Sequence, residues 1–117
     1  MIYKTFDVVV VPFPFCDFPE SKNRPALVVS STLSFNASCN HTVLAMITSA
    51  ANVPWPLDFL IGNLVAAGLS KQSMVRMKFF TVSNQLIIKK IGVLGGDDRK
   101  KVAVNVKQVF SGMDQAF

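Results

Sequence analysis

Apolar positions along the chain follow two different periods. From Phe6 to Phe13, FDVVVVPF, they are continuous and β-branched. Valine loses side-chain freedom in a helix and packs well on a pleated sheet, so this run predicts a buried strand. Pro12 and Pro14 end it, because proline cannot donate to a ladder. A polar loop, PFCDFPESKN, spans Pro14 to Asn23 and leads into a second strand, RPALVVSS, over Arg24 to Ser31. His41 to Thr48, HTVLAMIT, predicts a third strand, followed by a loop, SAANVPWPLD, with two prolines around Trp55. In SMVRMKFFT, over Ser73 to Thr81, the period is two: Val75, Met77 and Phe79 fall on one side, Arg76 and Lys78 on the other. Leu86 to Leu94 predicts a further strand, with Gly92 at a bend or bulge.

The period then changes. Val102, Val106, Val109, Phe110 and Met113 form an amphipathic helical stripe. Asp97 or Asp98, after Gly95-Gly96, is placed to cap its start. Short strands followed by one helix predict a mostly β fold, a small barrel with helical additions. No internal repeat or linker interrupts the chain, so one domain is expected over residues 1–117.

Composition sharpens this picture in three ways. Half of the chain is hydrophobic and ten residues are Phe, enough for a core without staples and, alternatively, for an interface. Twelve Lys and Arg against seven Asp and Glu favour an anionic partner: RNA, DNA or an acidic protein. Cys16, Cys39 and His41 lie in no ligand spacing, and the acidic residues form no DxD or ExxE cluster, so no metal or other cofactor is expected. The two cysteines read as reduced, buried thiols, or as one disulfide. The most lipid-like stretch, FLIGNLVAAGL over Phe59 to Leu69, is shorter than the roughly 20 apolar residues a bilayer requires. No signal peptide is visible at MIYKTFDVVV, and a soluble, cytoplasmic protein with no membrane partner is expected.

The blocks FDVVVVPFPF, NRPALVVSS, VLAMITS, AGLSKQSMVRMKFFTV and IGVL occur in an order and at spacings that closely resemble the PemK/MazF family of bacterial toxins. The resemblance covers nearly the whole chain. It implies an SH3-like barrel of the PemK/MazF/CcdB type with a C-terminal helix. It also implies a homodimer, and a toxin of a type II toxin–antitoxin system held inactive by a cognate antitoxin, in a complex that binds DNA. The implied activity is that of a metal-independent endoribonuclease cutting single-stranded RNA, so as to inhibit translation and growth.

Within that resemblance, Arg24 in NRPAL matches the family's catalytic arginine, and Thr48 in MITS matches its threonine after the third strand. Arg76 in MVRM matches an arginine given a catalytic role in the Kid branch. That branch has an aspartate two residues on, where this chain has Lys78. Glu20 lies in the loop where related toxins carry a functional glutamate, at a shorter spacing to Arg24. The first strand usually opens with Gly-Asp, where this chain has Phe6-Asp7.

The residue types suit the chemistry. RNA carries its own nucleophile, the 2′-hydroxyl, so cleavage needs in-line positioning and stabilisation of a charged transition state. The planar guanidinium of Arg24 can hold two phosphate oxygens; otherwise it forms a strand-end salt bridge, with Glu20 as partner. Thr48 and Ser49 supply hydroxyl donors, or are ordinary strand-end polar residues. Arg76 and Lys78 can bind flanking phosphates or form a solvated strand face. Phe15 and Phe18 can stack unpaired bases or belong to the core. Glu20, Asp17 and His41 are the candidate proton acceptors, with His41 expected at the surface. Attack by the 2′-hydroxyl gives 2′,3′-cyclic phosphate ends. The competing reading is a catalytically inactive barrel that binds RNA, or a protein target in the manner of the CcdB topoisomerase poisons.

Overall fold

The computed structural model describes residues 1–13 and 22–115. Six strands form one antiparallel sheet: β1 (Asp7–Phe13), β2 (Lys22–Val28), β3 (His41–Ser49), β4 (Phe59–Leu60), β5 (Ser73–Ser83) and β6 (Lys89–Val93). Their order is β4-β5-β3-β2-β1-β6. Three helices accompany them: α1 (Ala37–Cys39), α2 (Leu64–Ala67) and α3 (Gly96–Val109). The sheet curls into a half-barrel with α3 on one face.

Both faces of the sheet are apolar, which is why β1 reads as an unbroken valine run rather than an alternation. Val8, Leu27, Ala45, Ile47 and Val75 point to one face, where Phe59, Ile61, Leu94 and Val102 of α3 pack on them. Val9, Val11, Ala26, Val28, Leu44 and Val82 point to the other, covered by Tyr3 and Ile87.

The five expected strands are present with shifted ends. β2 stops at Val28 because Ser31 caps a helical turn over Thr32–Asn36, its hydroxyl accepting the Ser34 N–H at 3.0 Å. That turn is held by a buried polar network. The Ser30 hydroxyl donates to Asn36 Oδ1, Asn36 Nδ2 donates to the Tyr3 carbonyl, and Asn84 donates to the Asn36 carbonyl while accepting from Thr42. β6 starts late because Ser83 caps a 3₁₀ turn over Asn84–Leu86. The short elements 32–39, β4 and α2 carry no period long enough to be read from sequence.

Two expectations are corrected. Neither Asp97 nor Asp98 caps α3; the N-cap is Gly95 and makes no side-chain bond. The buried Asp98 carboxylate instead accepts the backbone N–H groups of Gly62 and Asn63, at 3.1 and 2.9 Å, and so ties the helix start to the segment after β4. Cys39 is exposed, not buried, at the end of α1; Cys16 lies outside the described residues. The α3 stripe is half used: Val102 is buried and Val106 packs on the core, whereas Val109, Phe110 and Met113 are exposed. His41 is exposed, as expected.

The strand opening Phe6-Asp7 has a structural account. Phe6 has φ of 74°, the left-handed region in which glycine is unstrained. Phe6 occupies it while packing against the core, with the Arg99 guanidinium 5.6 Å from its ring centroid. Buried Asp7 accepts from Lys4 N–H at 2.8 Å and pairs with Lys90 at 3.2 Å.

At its β6 edge the curl is closed by α2 rather than by another strand. A register shift between Val8 and Val9 leaves Ile91 as the extra residue beside Gly92, the expected bulge. The backbones of α2 and β6 meet there without side chains between them. A Cβ at Gly92 would lie 2.3 Å from the Ala67 carbonyl carbon, and one at Gly68 would lie 2.0 Å from the Ile91 oxygen. A Gly92→Ala substitution is therefore expected to destabilise the protein by about 2 kcal/mol or more, as overpacking against backbone does. A urea midpoint unchanged from wild type would show that this seam has slack.

Candidate functional site

The face covered by Tyr3 and Ile87 does not stay apolar along its length. Alternate residues on four strands run outward from the core in rows: Val9, Val11, Phe13 on β1; Val28, Ala26, Arg24 on β2; Leu44, Met46, Thr48 on β3; Val82, Phe80, Lys78, Arg76 on β5. The inner ends are buried valines and leucines. The outer ends, with Ile47 and Trp55, line a shallow pocket of about 160 Å³. Thus Arg24, Thr48, Arg76 and Lys78, separated by up to 54 positions, line one depression because each continues a core row by the two-residue period.

A bulge lies beside this pocket. Ala45 pairs with Phe79 and Ile47 with Val75, so Arg76, Met77 and Lys78 together face Met46. The extra backbone bends β5 there and separates Arg76 from Lys78 across the pocket.

The cations differ in how they are held. Arg24 is exposed, 5.9 Å over the Phe13 ring, and its side chain makes no hydrogen bond or ion pair among the described residues. Lys78 lies 5.6 and 5.8 Å from the ring centroids of Phe13 and Phe80, which meet edge-to-face. Arg76 is committed. Its Nε and Nη2 donate to the two Asp58 oxygens at 3.3 and 2.9 Å, and Nη2 also donates to the Val53 carbonyl at 2.7 Å. Its side chain is 12% exposed and that of Asp58 5%. The Arg76 guanidinium also lies 4.7 Å from the Trp55 ring centroid.

Thr48 accepts a 2.6 Å bond from Asn52 Nδ2, which leaves its own O–H free to donate into the pocket. Ser49 is not brought to the pocket. It is exposed, one residue out of phase with Thr48, and its hydroxyl accepts the Ala51 N–H to begin the loop. Glu20, Phe15 and Phe18, with the alternative base Asp17, lie outside the described residues. The segment that carries them leaves β1 at Phe13 and rejoins the sheet at Lys22, two residues before Arg24. Among the described residues, no three His, Cys, Asp or Glu side chains come together as a metal site.

Sequence reasoning missed Asn52, Trp55 and Asp58. A signal was present: Trp55 sits between two prolines with an aspartate three positions on, the pattern of a side-chain-stabilised turn.

Residues 4–110 match the model of the PemK-like, MazF-like toxins of type II toxin–antitoxin systems. The chain belongs to this family. As a PemK/MazF-like chain it also has the expected fold. An endoribonuclease in complex with its cognate antitoxin, from a mycobacterial species, superposes with a TM-score of 0.73 at 12% identity, over 93% of this chain and 95% of that one. The MazE-MazF complex of Deinococcus radiodurans gives 0.70 at 13% identity over 94% and 96%. The Mycobacterium tuberculosis toxin MazF-mt6 gives 0.71 at 16% over 90% and 96%. At such identities the likeness is one of fold. No curated protein sequence matches the chain. No helix among the described residues is long and apolar enough to cross a membrane.

The Arg76–Asp58 ion pair is largely buried at the side of the PemK-like pocket. Removing the carboxylate leaves a largely buried guanidinium without its counter-charge, so Asp58→Ala is expected to cost about 3 kcal/mol in chemical denaturation. A loss below a few tenths of that value would mean that water replaces the carboxylate without penalty.

Proposed function

We propose that this PemK/MazF-like toxin is a metal-independent endoribonuclease acting on single-stranded RNA, with the pocket at the outer ends of β1, β2, β3 and β5 as its active site. The observation that carries the proposal is the convergence there of Arg24, Thr48, Arg76 and Lys78. Arg24 and Lys78 have no carboxylate partner among the described residues. A phosphate is the anion that this arrangement suits: Arg24 offers a two-pronged donor and Lys78 a point charge.

In the reaction, the 2′-oxygen attacks the adjacent phosphorus, the P–O5′ bond breaks, and the fragments carry a 2′,3′-cyclic phosphate and a 5′-hydroxyl. Arg24 holds the non-bridging oxygens and stabilises the charge they gain in the transition state. Thr48, oriented by Asn52, donates to the same phosphate or to the 2′-oxygen. Lys78 holds a flanking phosphate. Asp58 is not available as the base, since both its oxygens are engaged by Arg76 and one also accepts the Trp55 N–H at 2.7 Å. Proton removal falls to Glu20 or to solvent, and the 5′-oxygen takes its proton from solvent.

The antitoxin partner is proposed on the same physical basis. An acidic, disordered segment that folds on binding would cover a pocket of this charge and displace RNA.

Cleavage of a long single-stranded RNA in excess EDTA tests the reading. The folded protein is expected to cut and leave cyclic phosphate ends, and Arg24→Ala is expected to lower kcat/KM by about 10²–10³-fold. Absence of cutting by folded, antitoxin-free protein would favour an inactive binder or a protein poison. The antitoxin segment is expected to raise the apparent KM for RNA in proportion to its concentration; simultaneous full-affinity binding of both would contradict a shared site.

A further inference from the structure

Trp55 is the chain's one tryptophan and is 45% exposed at the pocket rim. Exposure alone does not mark a site; what distinguishes this ring is that the turn beneath it is fixed on both sides. Pro54 and Pro56 restrict the backbone on both sides. The Asp58 carboxylate accepts the Trp55 N–H at 2.7 Å, and the Trp55 carbonyl accepts the Asp58 N–H at 3.2 Å. Asn105 of α3 donates to the Leu57 carbonyl at 3.1 Å and anchors the far side of the turn. The Arg76 guanidinium, itself clamped by Asp58, lies close to the ring. The backbone that carries the indole is thus fixed before any ligand arrives, and the clamped Arg76 guanidinium is the ring's neighbour, which lowers the entropy cost of stacking on it.

We infer that Trp55 is a stacking platform for one unpaired base of the RNA next to the phosphate held by Arg24, and that Arg76 is a positioning residue that holds this platform rather than a phosphate ligand. The inference rests on the ribonuclease reading of the pocket and adds a base contact to it. A base has a flat π-face matched to indole; the pocket's other ring, Phe13, already has the Arg24 and Lys78 cations 5.9 and 5.6 Å from its centroid, and those cations with the Thr48 hydroxyl suit the RNA backbone. The nearby Arg76 cation strengthens the platform through its attraction to the ring's π-face. Stacking tolerates every base but favours purines by area, so Trp55 would also bias which site is cut.

The test separates base stacking from phosphate binding. The probes are a degenerate 2′-O-methyl RNA octanucleotide, which lacks the nucleophile and is not cut, and an abasic oligonucleotide of equal length. Binding is read by anisotropy of labelled probe and, with unlabelled probe, by the intrinsic emission of Trp55. The base-bearing probe is expected to quench that emission and the abasic probe to leave it near its starting value. Trp55→Ala is expected to weaken binding of the base-bearing probe by roughly 5- to 100-fold and of the abasic probe by less than about twofold. Trp55→Phe should retain most of the affinity. Equal loss for both probes, or wild-type binding by Trp55→Ala, would overturn the inference while leaving RNA binding intact, and would assign the ring to loop packing or a protein partner. Failure of wild-type protein to bind the base-bearing probe at all would overturn both the inference and the ribonuclease reading beneath it.

Discussion

A strand sends successive side chains to opposite faces, and in this protein four strands use that alternation twice over. Near the middle of the sheet, one set of alternate positions supplies the core under Tyr3 and Ile87. Two to six residues further out, the same set supplies Phe13, Arg24, Thr48, Arg76 and Lys78. The position of the pocket is therefore not independent of the packing that stabilises the sheet. A one-residue slip of β2 would bury Arg24's neighbours incorrectly and also turn the guanidinium to the α3 side. The valine and leucine rows thus hold the pocket in register.

What departs from regular alternation does so at places where geometry has to change. The bulge opposite Met46 spreads Arg76 and Lys78. The bulge at Ile91 lets β6 turn so that Gly92 meets α2. Arg76 illustrates the result. Its strand position matches that of a pocket cation, yet Asp58, Val53 and Trp55 occupy its guanidinium. Lys78, two residues on and on the same side, has two aromatic rings as neighbours and no counter-ion among the described residues. Two cations that look equivalent by spacing are separated by what a loop places beside them.

This also explains how much the sequence discloses. The long strands and α3 were legible because each carries a hydrophobic period over enough residues to be distinctive. Arg24, Thr48, Arg76 and Lys78 were legible one by one from family blocks; the period put only Arg76 and Lys78 on one face, and the meeting of all four depends on the register between strands. Asn52, Trp55 and Asp58 were not, because their placement depends on a non-repetitive turn closed by side-chain bonds. The assignment of Asp97 or Asp98 as a cap failed for a related reason. Cap residues are chosen from local sequence, whereas Asp98 answers to two backbone N–H groups 35 and 36 residues away. The stripe to Met113 was read as amphipathic by period, but only Val102 and Val106 of it pack on the core; Phe110 reaches the Phe79 ring at 5.5 Å and Met113 is 72% exposed.

Phe6 carries a consequence of another kind. A non-glycine residue at φ of 74° costs about 1 kcal/mol of backbone strain, which the half-buried ring packed on the core and the overlying Arg99 offset. The effect of replacing Phe6 is therefore conditional on α3. With Arg99 in place, glycine relieves the backbone but strips away a ring that the helix uses; without Arg99, less is lost. Positions 6 and 99 are thus epistatic, and relatives with glycine at the strand opening are poor guides to what this chain tolerates at either one.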